Sequence, residues 1–268
     1  MNNKNPIGVF DSGLGGLTVL SAIHEKLPSE SLIYFGDTAR VPYGSKSKET
    51  VVKYSLEILD FLIKQEVKII VVACNTVSSH ALEELKKRSP VPVIGVVEPG
   101  VNAVSKLAPE GEKAAVIATR STIKSGAYEK ALKEKRGDLY LFSKACPLFV
   151  PLVEEGFSDK KAAEDIIKEY LSEIDREKIR YVILGCTHYP LLKKHIQRLY
   201  KDFILIDSSV ETALFLEKIL AENNLANDAD SKGGVKMFFS DITDSLYDLE
   251  KLFYKEAIDK IEKVNLEW

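Results

Sequence analysis

The sequence predicts an α/β protein built of two similar parallel-sheet lobes, with its active site in the cleft between them. Short β-branched-rich runs alternate with stretches of helical periodicity along the chain, the pattern of a parallel α/β fold. One unit also occurs twice. Residues 68–76 form an apolar run that ends Ala73-Cys74-Asn75-Thr76, and residues 180–188 form another that ends Gly185-Cys186-Thr187-His188. Each run is followed by a helical pattern (79–87 and 190–200) and then by a second buried-looking strand (91–97 and 203–206). Ligands of open α/β sheets bind at the carboxyl ends of strands. Both cysteines fall there, so they are expected to face one another across a single site.

The elements follow in order. Residues 7–10 make a short strand, and Asp11-Ser12-Gly13-Leu14-Gly15-Gly16 is the loop after it. Leu17, Leu20, Ile23 and Leu27 recur at helical spacing until Pro28 stops the helix. A second strand spans 31–36. Residues 37–47, centred on Pro42-Tyr43-Gly44, form a loop long enough to suggest function. Val52, Leu56, Leu59 and Ile63 mark one face of an amphipathic helix over 49–64.

After the first cysteine unit, Glu98-Pro99-Gly100 reads as the crossing into the second lobe. A short helix (101–107) leads to a strand (114–118) closed by Thr119-Arg120-Ser121-Thr122. A helix (125–135) and a strand (139–143) follow, and Cys146-Pro147 breaks that strand. Residues 150–156 read as another site loop, and 162–174 as a helix before the second cysteine unit. Asp207-Ser208-Ser209 suits the cap of a helix through 222. Residues 223–234 are polar and read as a mobile connection. A lone strand (235–240) and a helix (246–258) are expected to pack back onto the first lobe. The expected division is 1–97 plus 210–268 for one lobe and 98–209 for the other.

A chain of 268 residues, 45% hydrophobic and 29% charged, has ordinary globular composition. Its net charge of −3 argues against a nucleic-acid partner. No apolar run approaches the roughly 20 residues of a membrane span, and residues 1–6 run into a strand, not a signal-peptide core. Three widely spaced cysteines make no disulfide framework. A reducing, cytoplasmic setting is expected.

The glycine loop opens a helix whose first N–H groups would favour an anion. It lacks the third glycine of the dinucleotide fingerprint, where Thr18 stands, and it is no P-loop. Asp11 or Ser12 serves equally well as a helix cap, and an Asp there would repel a carboxylate and instead meet an amine or orient a base. Cys74 and Cys186 each precede a helix, whose N-terminus depresses a thiol pKa. Cys146 lacks that setting and suits packing. A disulfide oxidoreductase would want Cys-x-x-Cys, which is absent. A zinc site of Cys74, Cys146, Cys186 and His188 would lack a local ligand pair. A cysteine hydrolase, pairing Cys74 with His80 or His188, would leave the duplication idle. Two thiols flanking one carbon, one removing a proton and the other returning it to the opposite face, match the duplication best. His24, His80 and His195 read as helix-surface residues.

Phe10-Asp11-Ser12-Gly13-Leu14-Gly15-Gly16, Pro42-Tyr43-Gly44, Ala73-Cys74-Asn75-Thr76 and Gly185-Cys186-Thr187-His188-Tyr189-Pro190-Leu191 together resemble the cofactor-independent glutamate racemases, part of the wider aspartate/glutamate racemase group. The match spans nearly the whole chain, without departure at these positions. The resemblance implies no cofactor, a small-molecule substrate, a homodimer and a role in supplying D-glutamate for peptidoglycan. It implies that Cys74 acts on the D-isomer and Cys186 on the L-isomer, with Asp11 tuning the first thiol and Glu154 and His188 the second. Substrate contacts are implied for Asp11, Ser12, Tyr43, Gly44, Asn75, Thr76, Thr187 and His188, with hydroxyls from Thr119 and Thr122. An aspartate racemase of the same group and a non-catalytic anion-binding α/β module are the alternatives.

Overall fold

The computed structural model describes residues 2–227 and 232–266. The first half runs β1 (Ile7–Asp11), α1 (Leu17–Lys26), β2 (Leu32–Gly36), α2 (Lys48–Lys64), β3 (Ile69–Val72), α3 (Asn75–His80), α4 (Leu82–Arg88) and β4 (Val93–Gly95). Helix α5 (Val97–Leu107) leads to β5 (Lys113–Ala118), α6 (Arg120–Ser125), α7 (Ala127–Lys135), β6 (Tyr140–Ala145), α8 (Phe149–Glu154), α9 (Lys161–Arg176), β7 (Tyr181–Gly185), α10 (Lys193–Leu199) and β8 (Ile204–Asp207). Helix α11 (Ser208–Glu222), β9 (Val235–Phe239), α12 (Asp244–Phe253) and β10 (Lys260–Lys263) complete the described chain.

Two sheets result, and every strand pair in them is parallel. The first has the order β10-β9-β2-β1-β3-β4 and the second β6-β5-β7-β8. The order β2-β1-β3-β4 thus recurs as β6-β5-β7-β8, so the duplication seen in the sequence is also one of topology. In each sheet the chain reverses its direction of travel beside the first strand of the unit, between β1 and β3 and between β5 and β7. Loops diverge there and open a crevice. The cysteines follow β3 and β7, the strands on equivalent sides of the two reversals.

Several elements differ from expectation. Helix α3 begins at Asn75, directly after Cys74, and breaks at Ala81 before α4. Glu98-Pro99-Gly100 is no loop: it lies in the first turns of α5. Proline there forfeits nothing, since the first helical N–H groups have no intrahelical acceptor. Residues 150–156 are likewise not a free loop. Phe149–Glu154 is helical, and Pro151 again sits in the opening turn. The C-terminal part contributes two strands, β9 and β10, to the first sheet rather than one, and α12 ends at Phe253. Of the polar connection over 223–234, residues 228–231 lie outside the described residues.

A continuous apolar cluster joins the sheets. Leu17, Leu20 and Ile23 of α1 belong to it with Ala213, Leu216 and Leu220 of α11 and Val182 and Leu184 of β7. At the other end of β3 an ion pair is sealed off from water. Lys68 is wholly buried and Glu30 nearly so, with Nζ to Oε2 2.5 Å. Lys68 also donates to Asn3 O, and the Asn227 N–H donates to Glu30 Oε1 at 2.8 Å. The pair fastens the root of the Cys74 strand to the α1–β2 turn. Lys68→Met is expected to cost about 3–5 kcal/mol by stranding a buried carboxylate, and Lys68→Met with Glu30→Gln less. Urea unfolding of both variants checks the order; equal losses would contradict it.

Candidate active site

Asp11 ends β1 and is buried. Its Oδ2 accepts the Gly13 N–H at 2.9 Å, and its Oδ1 has no partner among the described residues. Burial raises its pKa, against the opposing pull of the His188 charge and the N–H groups of Gly13, Gly16 and Ser12. The Tyr34 hydroxyl pins the loop by donating to Gly13 O at 2.7 Å.

Cys74 stands at the N-cap of α3, with Sγ 3.5 Å from Ser12 Oγ. The expectation that the helix start would make it acidic fails. Burial, helped by the charge of Asp11, pushes the thiol up to about 12. Removing a thiolate from water outweighs a few N–H dipoles of a short helix. Next to it, Asn75 is buried and accepts at Oδ1 from the Tyr128 hydroxyl, 2.6 Å away, while its Nδ2 has no partner among the described residues. Thr76 Oγ1 lies 3.2 Å from Thr119 Oγ1 and 3.3 Å from Thr122 Oγ1, and those two are 3.1 Å apart. Thr119 also caps α6, accepting the Thr122 N–H.

Around Cys186 the electrostatics reverse. His188 Nδ1 is 3.9 Å from Cys186 Sγ, and Nε2 is 2.9 Å from Glu154 Oε1. Burial opposes a charge on the ring, but hydrogen bonds and charges from Cys186 and Glu154 outweigh it and raise the pKa to about 10. The imidazole is therefore protonated at neutral pH. The ring of Phe253 meets it edge-on, with centroids 5.4 Å apart. Thr187 O accepts from Thr18 Oγ1 of α1 at 3.0 Å. At Gly15 a Cβ would collide with Thr187 and His188, so glycine lets the α1 entry abut the second cysteine loop.

A cavity of about 390 Å3 lies between these groups. Ser12, Tyr43, Gly44, Cys74, Asn75, Thr76, Thr119, Glu154, Cys186, Thr187 and His188 line it. Asp11 and Thr122 stand behind its wall. Val41, Pro42, Pro147, Val150 and Pro151 make part of the lining apolar. The Tyr43 hydroxyl bonds to Asp37, so its ring and backbone are what it offers the cavity. Asp37, fully buried, also accepts from Arg40 Nε at 2.6 Å and Ser240 Oγ at 2.7 Å, and this network holds the Pro42-Tyr43-Gly44 turn in place. The sequence had not singled out Asp37, Arg40, Ser240 or Tyr128: the first two lie in the suspected 37–47 loop, but no local pattern links that loop to Ser240 or Asn75 to Tyr128.

The remaining histidines are not plain surface groups. His24 is buried against Tyr254, His80 bonds Ser121 at 2.9 Å, and His195 pairs with Asp159 at 3.2 Å. Cys146 is fully buried in the apolar cluster. No three His, Cys, Asp or Glu side chains among the described residues are grouped as for a metal ion.

Fold and cavity together define a two-lobed parallel α/β protein in which each half brings one thiol to a shared pocket. The chain belongs to the Asp/Glu/Hydantoin racemase family, whose pattern matches residues 7–214. It is 47% identical over 260 residues to the glutamate racemase of Persephonella marina, covering 97% of each chain. The glutamate racemase of Francisella tularensis, solved in complex with D-glutamate, superimposes with a TM-score of 0.92 at 39% identity, covering 99% of both chains. A glutamate racemase isoform from Bacillus anthracis gives 0.94 at 38% identity with the same coverage.

Because His188 is held charged by its partners, its charge is present below about 10 and lost as pH rises through that value. NMR titration of the imidazole should give a midpoint near 10 in the wild-type protein and a lower one in Glu154→Gln. An unmoved midpoint would remove Glu154 as the supporting partner.

Proposed function

We propose that the protein interconverts L- and D-glutamate without a cofactor, by removing the Cα proton on one face and returning a proton on the other. The observation that carries this reading is that Cys74 and Cys186, topologically equivalent, border one cavity. Membership of the racemase family and the high identity to glutamate racemases support glutamate over aspartate as substrate. A non-catalytic anion-binding module would have no use for a second thiol and an imidazolium–carboxylate pair.

In this reading Cys186, beside the His188 imidazolium, serves as base toward the L-isomer, and Cys74, held as the neutral thiol, delivers the proton to the opposite face. In the reverse direction Cys74 takes the proton from the D-isomer, with Asp11 behind it. The α-proton is far less acidic than a thiol, so charge developing on the substrate must be met by fixed donors. The Asn75 Nδ2, without a partner among the described residues, and the hydroxyls of Thr76 and Thr119, with Thr122 bonded behind them, suit a carboxylate, while Ser12, with the Asp11 carboxyl behind it, suits the ammonium group. Tyr43, Gly44 and Thr187 complete the contacts, and the mostly apolar lining limits water at the reacting carbon.

The site would lie between the lobe of residues 1–97 with 210–268 and the lobe of 98–209. The resemblance supports a cytoplasmic homodimer that supplies D-glutamate to peptidoglycan synthesis. None of the described helices is long and apolar enough to cross a membrane.

Enantiomers have equal free energies, so kcat/KM must be the same in both directions, in any variant. Cys74→Ser and Cys186→Ser are each expected to lower it in both directions, by about 10²–10⁴-fold. Circular dichroism of glutamate incubated from each pure isomer, with aspartate run in parallel, measures this. Full activity in either variant would sink the two-thiol mechanism, and a cysteine hydrolase would tolerate one of the losses. Faster turnover of aspartate than of glutamate would reassign the substrate.

A further inference from the structure

We propose that Tyr128, from the second lobe, is a positioning residue that fixes which end of the Asn75 side-chain amide faces the cavity. The two ends of an asparagine amide are nearly the same shape and opposite in polarity. Turned one way, Asn75 offers a carboxylate two N–H donors; turned the other, it presents an oxygen that repels it. Local structure does not decide between them, because the side chain sits at the first position of α3 with nothing in its own lobe bonded to its amide nitrogen.

Tyr128 supplies the decision. Its hydroxyl donates to Asn75 Oδ1 at 2.6 Å, across the boundary between the lobes. The ring is held in place: it is 1% exposed and belongs to an apolar cluster with Val104, Leu132 and Ile183. Burial and the nearby charge of Cys186 keep the phenol protonated, so it remains a donor. The amide nitrogen is buried without an acceptor among the described residues, and Asn75 lines the cavity. An unpaired buried donor is costly, and an anionic oxygen of the ligand relieves it. Asn75 adjoins Cys74, so the same bond also sets where that carboxylate rests relative to the first thiol. The role deepens the racemase reading and depends on it for the identity of the carboxylate.

The test is Tyr128→Phe, which keeps the ring and removes the hydroxyl. KM for both isomers and the Kd for D-glutamate by calorimetry are expected to rise about tenfold, the size of one hydrogen bond to a charged group, with kcat changed far less. In an Asn75→Ala background the same substitution should change neither constant, because nothing remains to orient. An unchanged KM in Tyr128→Phe, or an equal rise with and without Asn75, overturns the proposal; the second result would mean a purely structural role. If Tyr128→Phe does not fold, 4-fluorophenylalanine at position 128 replaces the hydroxyl with a fluorine of similar size that cannot donate, and an unchanged KM there overturns it equally. The wild-type protein separates the two readings. Glutamate turnover by the wild type with no effect of Tyr128→Phe defeats only the positioning role, whereas no turnover by the wild type defeats the racemase reading and this proposal's ligand with it.

Discussion

The close approach of two sheets, so that strands β3 and β7 end at one cavity, is the constraint on which the rest of this structure depends. Neither thiol faces the other within its own lobe; they meet only because the lobes are locked together. On one side the lock is the entry of α1, where Gly15 admits the second cysteine loop at a distance no side chain would allow and Thr18 donates to Thr187 O. On the other side it is polar: the Thr76, Thr119 and Thr122 hydroxyls and the Tyr128–Asn75 bond. Residues proposed to hold the substrate are therefore also those that hold the lobes. Ligand binding and lobe closure draw on the same hydrogen bonds, so a substrate that competes for these hydroxyls is well placed to alter the fit between the lobes.

Topological symmetry is paired with chemical asymmetry. The strand order repeats, and the cysteines stand at equivalent points, yet their surroundings differ in sign. Cys74 has a buried carboxyl behind it and a neutral hydroxyl beside it, and burial keeps its proton on. Cys186 has an imidazolium beside it, supported by Glu154. A reaction that removes a proton on one face and adds one on the other needs one group charged and one neutral at the outset. Two identical environments would give both thiols the same state. The departure from symmetry lies in Asp11 at the end of β1 and Glu154 in α8, which tune each thiol separately.

Much of this was legible in the chain. The alternating elements, the duplicated cysteine unit and the residues of the cavity wall followed from periodicity, strand-end position and resemblance, because those signals are local. The misreadings were local too, where one residue type has two uses. Glu98-Pro99-Gly100 reads as a crossing and 150–156 as a loop, yet Pro99 and Pro151 stand in opening helical turns, since proline at a helix start removes a donor that had no acceptor. The acidity expected of Cys74 from its helix start was reversed by burial and by Asp11, neither of which adjacency in sequence conveys.

The sequence by itself determined the α/β class, the repeat and the placing of both cysteines at strand ends, because apolar spacing and chain direction dictate where a strand stops and a helix starts. Only the tertiary structure decided what surrounds each sulfur. The Glu154–His188 pair, the Asp37–Ser240 bond behind Tyr43, and the bond from Tyr128 to Asn75 join positions 34 to 203 residues apart. Burial and charge act through space, so the protonation of a group is fixed by neighbours that the linear order of residues does not name.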